Sequence, residues 1–257
     1  MNDYVKYLMV RTPLEKPALL VQDALKMRHV VRHPGLFRVQ VETAAVRASI
    51  RRLLTRRDAN CIDVGAHIGS MLSLIMELAP EGQHMAFEPM PEKTEWLRKK
   101  FPEVEVYAKA LGAEPGHASF SINQTRSGFS GLKAHGVGAD RFTEIEVEIA
   151  RLDDLVPEDR EIELLKVVVE GAELSVLQGA ERILRQSRPS MIVESSASAL
   201  QAWGIEPRSV YDFLADHQYE LRTPQAFLRG GPALSFEAYE SAQKYPFAAF
   251  RFVATQR

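Results

Sequence analysis

One stretch, residues 61–71, constrains the fold of this chain more than any other. A short apolar strand runs there into a glycine turn and then into an apolar helix. Continuous apolar strands are typical of parallel sheets that are covered on both faces. Gly65 permits a sharp turn with close ligand approach, and Gly69 lets the following helix pack tightly against the strand. The stretch predicts a strand–turn–helix unit of an α/β fold, built either around a ligand or as an ordinary structural unit.

Two acids stand at the ends of successive predicted strands. Asp63 ends the first strand, and Glu88 ends the second, residues 83–88, which Pro89 stops. Open α/β sheets bind ligands at the carboxyl ends of their strands, so we expect Asp63 to accept hydrogen bonds from a ligand ammonium or hydroxyl. Glu88 lies about twenty residues beyond the glycine turn, where an acid can bind both hydroxyls of a ribose. The alternative for Glu88 is an ordinary surface glutamate.

The glycine spacing separates two classes of nucleotide-binding enzyme. The turn reads Gly-x-x-x-Gly, whereas a dinucleotide fold uses Gly-x-Gly-x-x-Gly to seat a pyrophosphate at the helix N-terminus. Ala66 and His67 add bulk between the two glycines. The pattern therefore favours a ligand without phosphates, such as S-adenosylmethionine, over a nicotinamide dinucleotide.

The chain resembles FkbM-type methyltransferases in an ordered series of motifs over about residues 58–196. The motifs are Asp63-Val-Gly-Ala-His-Ile-Gly69, Phe87-Glu-Pro89, Leu152-Asp-Asp-Leu155, Leu165-Lys-Val-Val-Val-Glu-Gly-Ala-Glu173, Val176-Leu-Gln-Gly-Ala180 and Arg188-Pro189 with Val193-Glu194. The resemblance implies a class I, Rossmann-like α/β fold: a seven-stranded, mostly parallel sheet with helices on both faces. It also implies an O-methyltransferase that moves a methyl group from S-adenosylmethionine to a small-molecule hydroxyl, leaving S-adenosylhomocysteine. The acceptor would be a sugar, an oligosaccharide or a polyketide-like natural product.

Six residues are expected to bind that cofactor. They are Asp63, Gly65, His67, Gly69, Glu88 and Ala110, the last from a loop that the resemblance places against the adenine. The chain departs from the family at two positions, with His67 where asparagine is more usual and Val168 where an acid is expected. Because carboxylates are the usual oxygen ligands of divalent metals, Val168 predicts chemistry without a metal ion.

The segment 123–140 is rich in glycine and small polar residues and predicts a long loop between two strands. We expect Ser127, Phe129 and Ser130 to lie near the substrate, unless the loop is only a surface excursion. His135 is the histidine best suited to act as a general base, because an unperturbed imidazole titrates close to neutral pH.

Two glutamates follow later predicted strands. Glu170 comes after strand 164–169 and Glu194 ends strand 190–193, which makes them neighbours in the crevice of a parallel sheet. Either could accept the proton of a substrate hydroxyl or bind its hydroxyls. The alternative is that they cap helices or pair with Lys166 and Arg188.

The other apolar patterns predict the rest of the fold. They indicate strands at 104–108, 116–122, 144–150, 219–222 and 248–254, and helices at 71–78, 92–101, 172–185 and 207–217. The final strand is expected to close the sheet as part of an antiparallel hairpin.

We expect residues 1–57 to form a basic N-terminal extension, and residues 58–257 to form the methyltransferase domain that the resemblance implies. Helices are predicted over about residues 19–31 and 43–55. The extension could cover the active site, bind an acidic substrate or make a homo-oligomer contact, or it could be only a solvated helical face.

Composition narrows the function classes. A net charge of −2 argues against nonspecific nucleic-acid binding, and the single cysteine, Cys61, suits a reducing compartment. No signal peptide and no long apolar run are seen, which predicts a cytoplasmic protein without a membrane span. The alternatives to the enzyme are a catalytically silent binding protein, suggested by Val168, and a nucleic-acid methyltransferase, suggested by the basic extension.

Overall fold

The computed structural model describes residues 3–21, 24, 37–133, 140–245 and 247–257. Its strands are β1 (Cys61–Val64), β2 (Met85–Phe87), β3 (Glu105–Tyr107), β4 (Ala110–Leu111), β5 (Gly116–Asn123), β6 (Phe142–Ala150), β7 (Leu164–Val167), β8 (Ser190–Glu194), β9 (Tyr219–Arg222) and β10 (Arg251–Gln256). The N-terminal helices are α1 (Asp3–Met9), α2 (15–21) and α3 (Phe37–Leu53). The others are α4 (Ser70–Leu78), α5 (Pro91–Lys100), α6 (Leu152–Leu155), α7 (Glu173–Gln178), α8 (Glu181–Gln186), α9 (Ala197–Ala202), α10 (Pro207–Asp216), α11 (Pro224–Leu228) and α12 (Phe236–Ala242).

Seven strands form the main sheet in the order β3-β2-β1-β7-β8-β10-β9, and β4-β6-β5 form a second, smaller sheet. Strand β1 pairs in parallel with β2 and β7, and β7 pairs in parallel with β8. Strand β10 runs antiparallel to both β8 and β9. The predicted seven-stranded, mostly parallel α/β sheet is therefore confirmed.

Helices pack on both faces of this sheet because the parallel strands are apolar on both sides. One core joins the strands to α7, α8 and α10, with Val176, Ile183 and Leu214 fully or almost fully buried. The other joins them to α3 and α4 through residues such as Ile50 and Ile75. Helix α3 of the basic extension thus belongs to a core layer of the sheet.

Several predicted boundaries are wrong. Strand β7 ends at Val167 rather than at residue 169, and the final strand is 251–256 rather than 248–254. The helix expected over 172–185 is two helices, α7 and α8, separated at Gly179, where a Cβ would lie 2.1 Å from the carbonyl oxygen of Gly112. Helix α3 begins at Phe37 rather than at residue 43, and helix α1 was not predicted. Part of the helix expected over 19–31 lies outside the described residues.

Candidate active site

A cavity of about 350 Å³ lies at the carboxyl ends of β1, β2 and β7. This volume falls within the range of small-molecule sites. Several of the expected site residues line it, namely Gly65, His67, Glu88, Ala110, Ser127, Ser130 and Glu170. Asp63, Gly69, Phe129 and Glu194 are not among its lining residues, and His135 lies outside the described residues.

The glycine turn is shaped by one close backbone approach. Gly65 has φ +74°, and a Cβ there would lie 1.9 Å from the carbonyl oxygen of Val168. Gly69 has φ +81°, and its Cβ would lie 2.5 Å from Phe101 and 2.9 Å from Leu97. Gly65 is therefore required by the neighbouring strand end. Gly69 allows close packing of the turn against α5 and Phe101, and its expected role in packing the following helix against the strand stays a prediction.

Asp63 is completely buried and faces an ammonium group of the protein itself. Lys166 Nζ lies 2.8 Å from Asp63 Oδ1, 2.7 Å from the carbonyl oxygen of Gly65 and 3.2 Å from that of Val64. The Asp63 contact is an ion pair without the alignment of a hydrogen bond, since neither carboxylate oxygen has a hydrogen-bond partner among the described residues. Lys166 thus fixes the start of the glycine turn, and ligand binding by Asp63 stays a prediction.

Glu88 ends the second strand with its carboxylate at the cavity wall. Glu88 Oε2 accepts a hydrogen bond from the backbone N–H of His67 at 2.8 Å, and Oε1 accepts one from Met90 at 3.0 Å. Burial raises the pKa of this carboxyl, while the two N–H groups and nearby His67 oppose the rise. Each oxygen keeps further lone pairs for a ligand hydroxyl.

His67 joins the glycine turn to two other parts of the cavity wall. Its Nε2 lies 2.7 Å from Ser127 Oγ and 3.5 Å from Asp3 Oδ2. Asp3 also accepts hydrogen bonds from Ser127 Oγ and, at 2.7 Å, from the buried Lys93. Hydrogen bonds from His67, Lys93 and Ser127 hold the pKa of Asp3 far below its usual range, against the effect of burial. One carboxylate of α1 therefore ties together the glycine turn, α5 and the excursion after β5.

Residues 124–133, after β5, contain a short helical turn and a bridge back to β5. A 3₁₀ turn spans Ser127–Phe129, and Gly131 bridges to Ser121. Ser130 Oγ accepts a hydrogen bond from the backbone N–H of Asn123 at 3.0 Å. Phe129 is 41% exposed and lies under the guanidinium of Arg126, outside the cavity lining.

Glu170 occupies a left-handed conformation, with φ 58°, on the cavity wall. The loop that carries it is held by Glu173, whose two carboxylate oxygens accept backbone hydrogen bonds from Val169 and Gly171, each at 3.0 Å. Burial raises the pKa of Glu173 to about 7. Our sequence reasoning gave Glu173 no role of its own, although an acid in the first turn of a helix is a known capping signal.

Glu194 is buried behind this loop and pairs with Arg251. Glu194 Oε1 lies 3.2 Å from Arg251 Nη2, so the suggested pairs with Lys166 or Arg188 are wrong for Glu194. Burial and the charge of Glu170 raise the pKa of Glu194 above its usual range, and Arg251 opposes the rise.

The N-terminal helices supply a wall of the cavity that sequence reasoning placed only in general terms. The residues are Lys6 and Met9 of α1, Val10 directly after it, Ala18 and Leu19 of α2, and Thr43, Val46 and Arg47 of α3. No helix in the part of the chain that the structure describes has the length and hydropathy needed to cross a bilayer. Within the same residues, no group of three or more His, Cys, Asp or Glu side chains is arranged to hold a metal ion.

Comparison with known proteins finds methyltransferases among the proteins that are similar to this chain. Methyltransferase 1 from Beauveria bassiana is 26% identical over an alignment of 147 residues, and the match covers 48% of this chain and 59% of that protein. The chain thus spans less than two thirds of that relative. A methyltransferase FkbM structure from Methylobacillus flagellatus has a TM-score of 0.47 at 14% identity, covering 77% of this chain and 44% of the other. Aeropyrum pernix fibrillarin with natively bound S-adenosyl-L-methionine has a TM-score of 0.43 at 11% identity, covering 81% and 72%.

The family match rests on the sequence itself. The sequence model of the Methyltransferase FkbM domain matches residues 63–221, more than half of the chain. That span contains the glycine turn, Glu88, Glu170 and Glu194. This protein therefore belongs to the FkbM methyltransferase family.

Proposed function

We propose that this protein is an S-adenosylmethionine-dependent O-methyltransferase that acts on a hydroxyl of a small molecule. The observation that carries the proposal is the position of Glu88, whose buried carboxylate lines the same cavity as Gly65. A strand-end acid beside a glycine turn is the arrangement that binds the ribose of a nucleoside.

The residues present fit this cofactor. Glu88 would accept hydrogen bonds from the ribose hydroxyls. Ala110 and Leu111 give the cavity an apolar edge suited to a flat base, and Gly65 leaves room where a Cβ would collide with Val168. His67 and Gly69 act through the shape of the turn: His67 donates its backbone N–H to Glu88, and Gly69 seats the turn on α5.

When bound, the cofactor supplies an electrophilic methyl group. The protein must then hold a hydroxyl oxygen in line with that methyl carbon and remove the hydroxyl proton. Glu170 lines the cavity and interacts electrostatically with the buried Glu194. We propose that this carboxylate pair takes up the proton, with Glu170 as the member next to the acceptor. Ser127 and Ser130 line the cavity and would orient the acceptor.

The walls of the cavity favour one of the two acceptor classes. The helical cover contributes apolar side chains, including Met9, Val10, Leu19 and Val46. The apolar part of this wall gains more from an apolar scaffold than from a sugar chain, whereas Lys6, Thr43 and Arg47 offer hydrogen bonds to a few hydroxyls. A polyketide-like compound with few hydroxyls on an apolar scaffold is therefore preferred over an oligosaccharide.

Calorimetric titration with S-adenosylmethionine and S-adenosylhomocysteine tests the proposal. Wild type should bind both ligands, and Glu88→Ala should lose at least tenfold in affinity. Glu92→Ala is the matched control, because Glu92 is an exposed acid at the start of α5 and should leave binding unchanged. Absence of binding to wild type would refute the cofactor assignment, and equal binding by Glu88→Ala would refute the role of Glu88.

One observation favours a second candidate, a binding protein without catalysis. Val168 gives the cavity an apolar side chain at the position where the family resemblance leads one to expect an acid. A silent protein would bind the cofactor and yet methylate no hydroxyl compound in a panel of polyketide-like alcohols and sugars. Product detected by mass spectrometry with any panel member would dismiss this candidate.

A further inference from the structure

Arg251 lies between two buried carboxyl groups at one side of the cavity. Its Nη2 is 3.2 Å from Glu194 Oε1, and its Nη1 is 3.6 Å from Glu42 Oε2. Glu42 and Glu194 are 2% and 8% exposed, while Arg251 itself lines the cavity. The guanidinium is therefore shared between an acid of α3 and the acid that ends β8.

The backbone holds this arrangement in place. Arg251 and Glu194 are directly opposite each other in the antiparallel pair of β10 and β8. Glu42 Oε1 accepts hydrogen bonds from the backbone N–H groups of Phe250 at 2.6 Å and Arg251 at 2.9 Å. Helix α3 thus fixes the residue with which β10 begins.

The charges around Glu194 come from four elements. Arg251 of β10 favours its ionised form, whereas Glu170 after β7, Glu173 of α7 and Glu42 of α3 oppose ionisation. Burial opposes it as well and is the largest effect. From α12, Tyr239 bonds to Ser195, the residue after Glu194.

The family match covers only one part of this array. Glu170 and Glu194 lie inside residues 63–221, whereas Glu42 and Arg251 lie outside them. The ionisation of Glu194 therefore depends on Glu42 and Arg251, which lie before and after the matched residues.

We infer that Arg251 is a positioning residue that keeps Glu194 able to ionise beside Glu170. Glu42 weakens this effect, because its carboxylate pairs with the same guanidinium. The inference deepens the proposed function, because the Glu170–Glu194 pair is where the acceptor proton is proposed to go. The charges of Glu170 and Glu194 act on each other, so the ionisation of Glu194 changes the electrostatic field at the place proposed for the acceptor.

Direct titration of Glu194 tests the inference without any acceptor. The full-length chain is labelled with ¹³C at the glutamate side-chain carboxyls, and the Glu194 signal is identified by its loss in Glu194→Gln. Removing a cation within about 4 Å should raise the midpoint of this signal by about one to three pH units in Arg251→Met. Glu42→Gln keeps the oxygen that the backbone N–H groups need but removes the competing charge, so the midpoint should fall.

Arg251→Lys separates charge from shape. It keeps the positive charge and should leave Glu194 close to its wild-type midpoint. If Arg251→Met does not fold, as judged by circular dichroism, Arg251→Lys and Glu42→Gln still carry the test. An unchanged midpoint in Glu42→Gln, or a rise there, would overturn the inference. An unchanged midpoint in folded Arg251→Met would also overturn it. The same holds if the midpoint in Arg251→Lys rises by about one to three pH units, as expected for Arg251→Met.

The outcome is separable from that of the proposed function. Binding of S-adenosylhomocysteine to wild type depends on the Glu88 end of the cavity. Loss of that binding would reject the cofactor while leaving the titration of Glu194 interpretable. Binding with an unshifted titration would keep the methyltransferase and reject the role of Arg251.

Discussion

Replacing Gly65 by alanine should displace the glycine turn and weaken cofactor binding. At φ +74° a Cβ costs about 1–2 kcal/mol for the left-handed conformation alone. The same Cβ would lie 1.9 Å from the carbonyl oxygen of Val168, so the turn or the end of β7 must move by more than about 1 Å to relieve the overlap. Overpacking of this kind adds about 1–3 kcal/mol. We expect Gly65→Ala to lower the free energy of unfolding by about 2–5 kcal/mol.

Gly204→Ala supplies the matched control. Gly204 has φ +67°, close to that of Gly65, but no atom of the described residues lies within 4 Å of its added Cβ. Its substitution carries the conformational cost without the overlap, so it should lower the unfolding free energy by only about 1–2 kcal/mol. The difference between the two variants isolates the close approach to Val168.

Urea unfolding at 25 °C and calorimetry with S-adenosylhomocysteine measure the two effects. Gly65→Ala should be less stable than Gly204→Ala by about 1–3 kcal/mol and should bind the ligand at least tenfold more weakly. Gly204→Ala should bind it like wild type. Equal stabilities of the two variants, or wild-type affinity in Gly65→Ala, would refute the account of the turn.

Three further predictions concern buried charges. Because the pKa of Glu173 is raised from 4.5 to about 7, the native state keeps a proton on this carboxyl that the unfolded state loses between these pH values. The free energy of unfolding of wild type should therefore fall by about 3 kcal/mol between about pH 4.5 and pH 7. Urea unfolding at several pH values should show a flatter pH profile for Glu173→Gln. Asp3→Asn removes the partner of the buried Lys93 and loosens α1 over the cavity, so S-adenosylhomocysteine should dissociate several-fold faster in stopped-flow measurements. Lys166→Met leaves the fully buried Asp63 unpaired and should cost about 3–5 kcal/mol. Adding Asp63→Asn should recover part of that loss, and a double variant no more stable than the single one would contradict the ion pair.

Two residues that line the cavity at the strand ends, Gly65 and Glu88, could be predicted from local sequence patterns. Glu88 and Gly65 each belong to a short unit in which an apolar strand is followed at once by a turn, so their positions follow from neighbouring residues. The order of such units also implied the parallel sheet. Ala110 was placed by family resemblance and lines the cavity as expected.

Residues brought in from distant parts of the chain could not be found in this way. Asp3 of α1 contacts His67 of the glycine turn, and Arg251 pairs with Glu42 from the other end of the sequence. No periodicity or spacing in one sequence reports such pairs, because they depend on how helices and strands pack. The partner of Asp63 was missed for a related reason, since Lys166 becomes its neighbour only when β1 and β7 pair.

Strand β10 follows β9 in the chain but lies between β8 and β9 in the sheet. During synthesis, β9 therefore leaves the ribosome before β10, the strand that joins it to the sheet. Until β10 emerges, β8 and β9 both have an edge with unpaired backbone groups, which is a template for wrong strand pairing. Molecular chaperones that shield exposed strand edges are expected to matter most in the interval between the synthesis of β9 and that of β10.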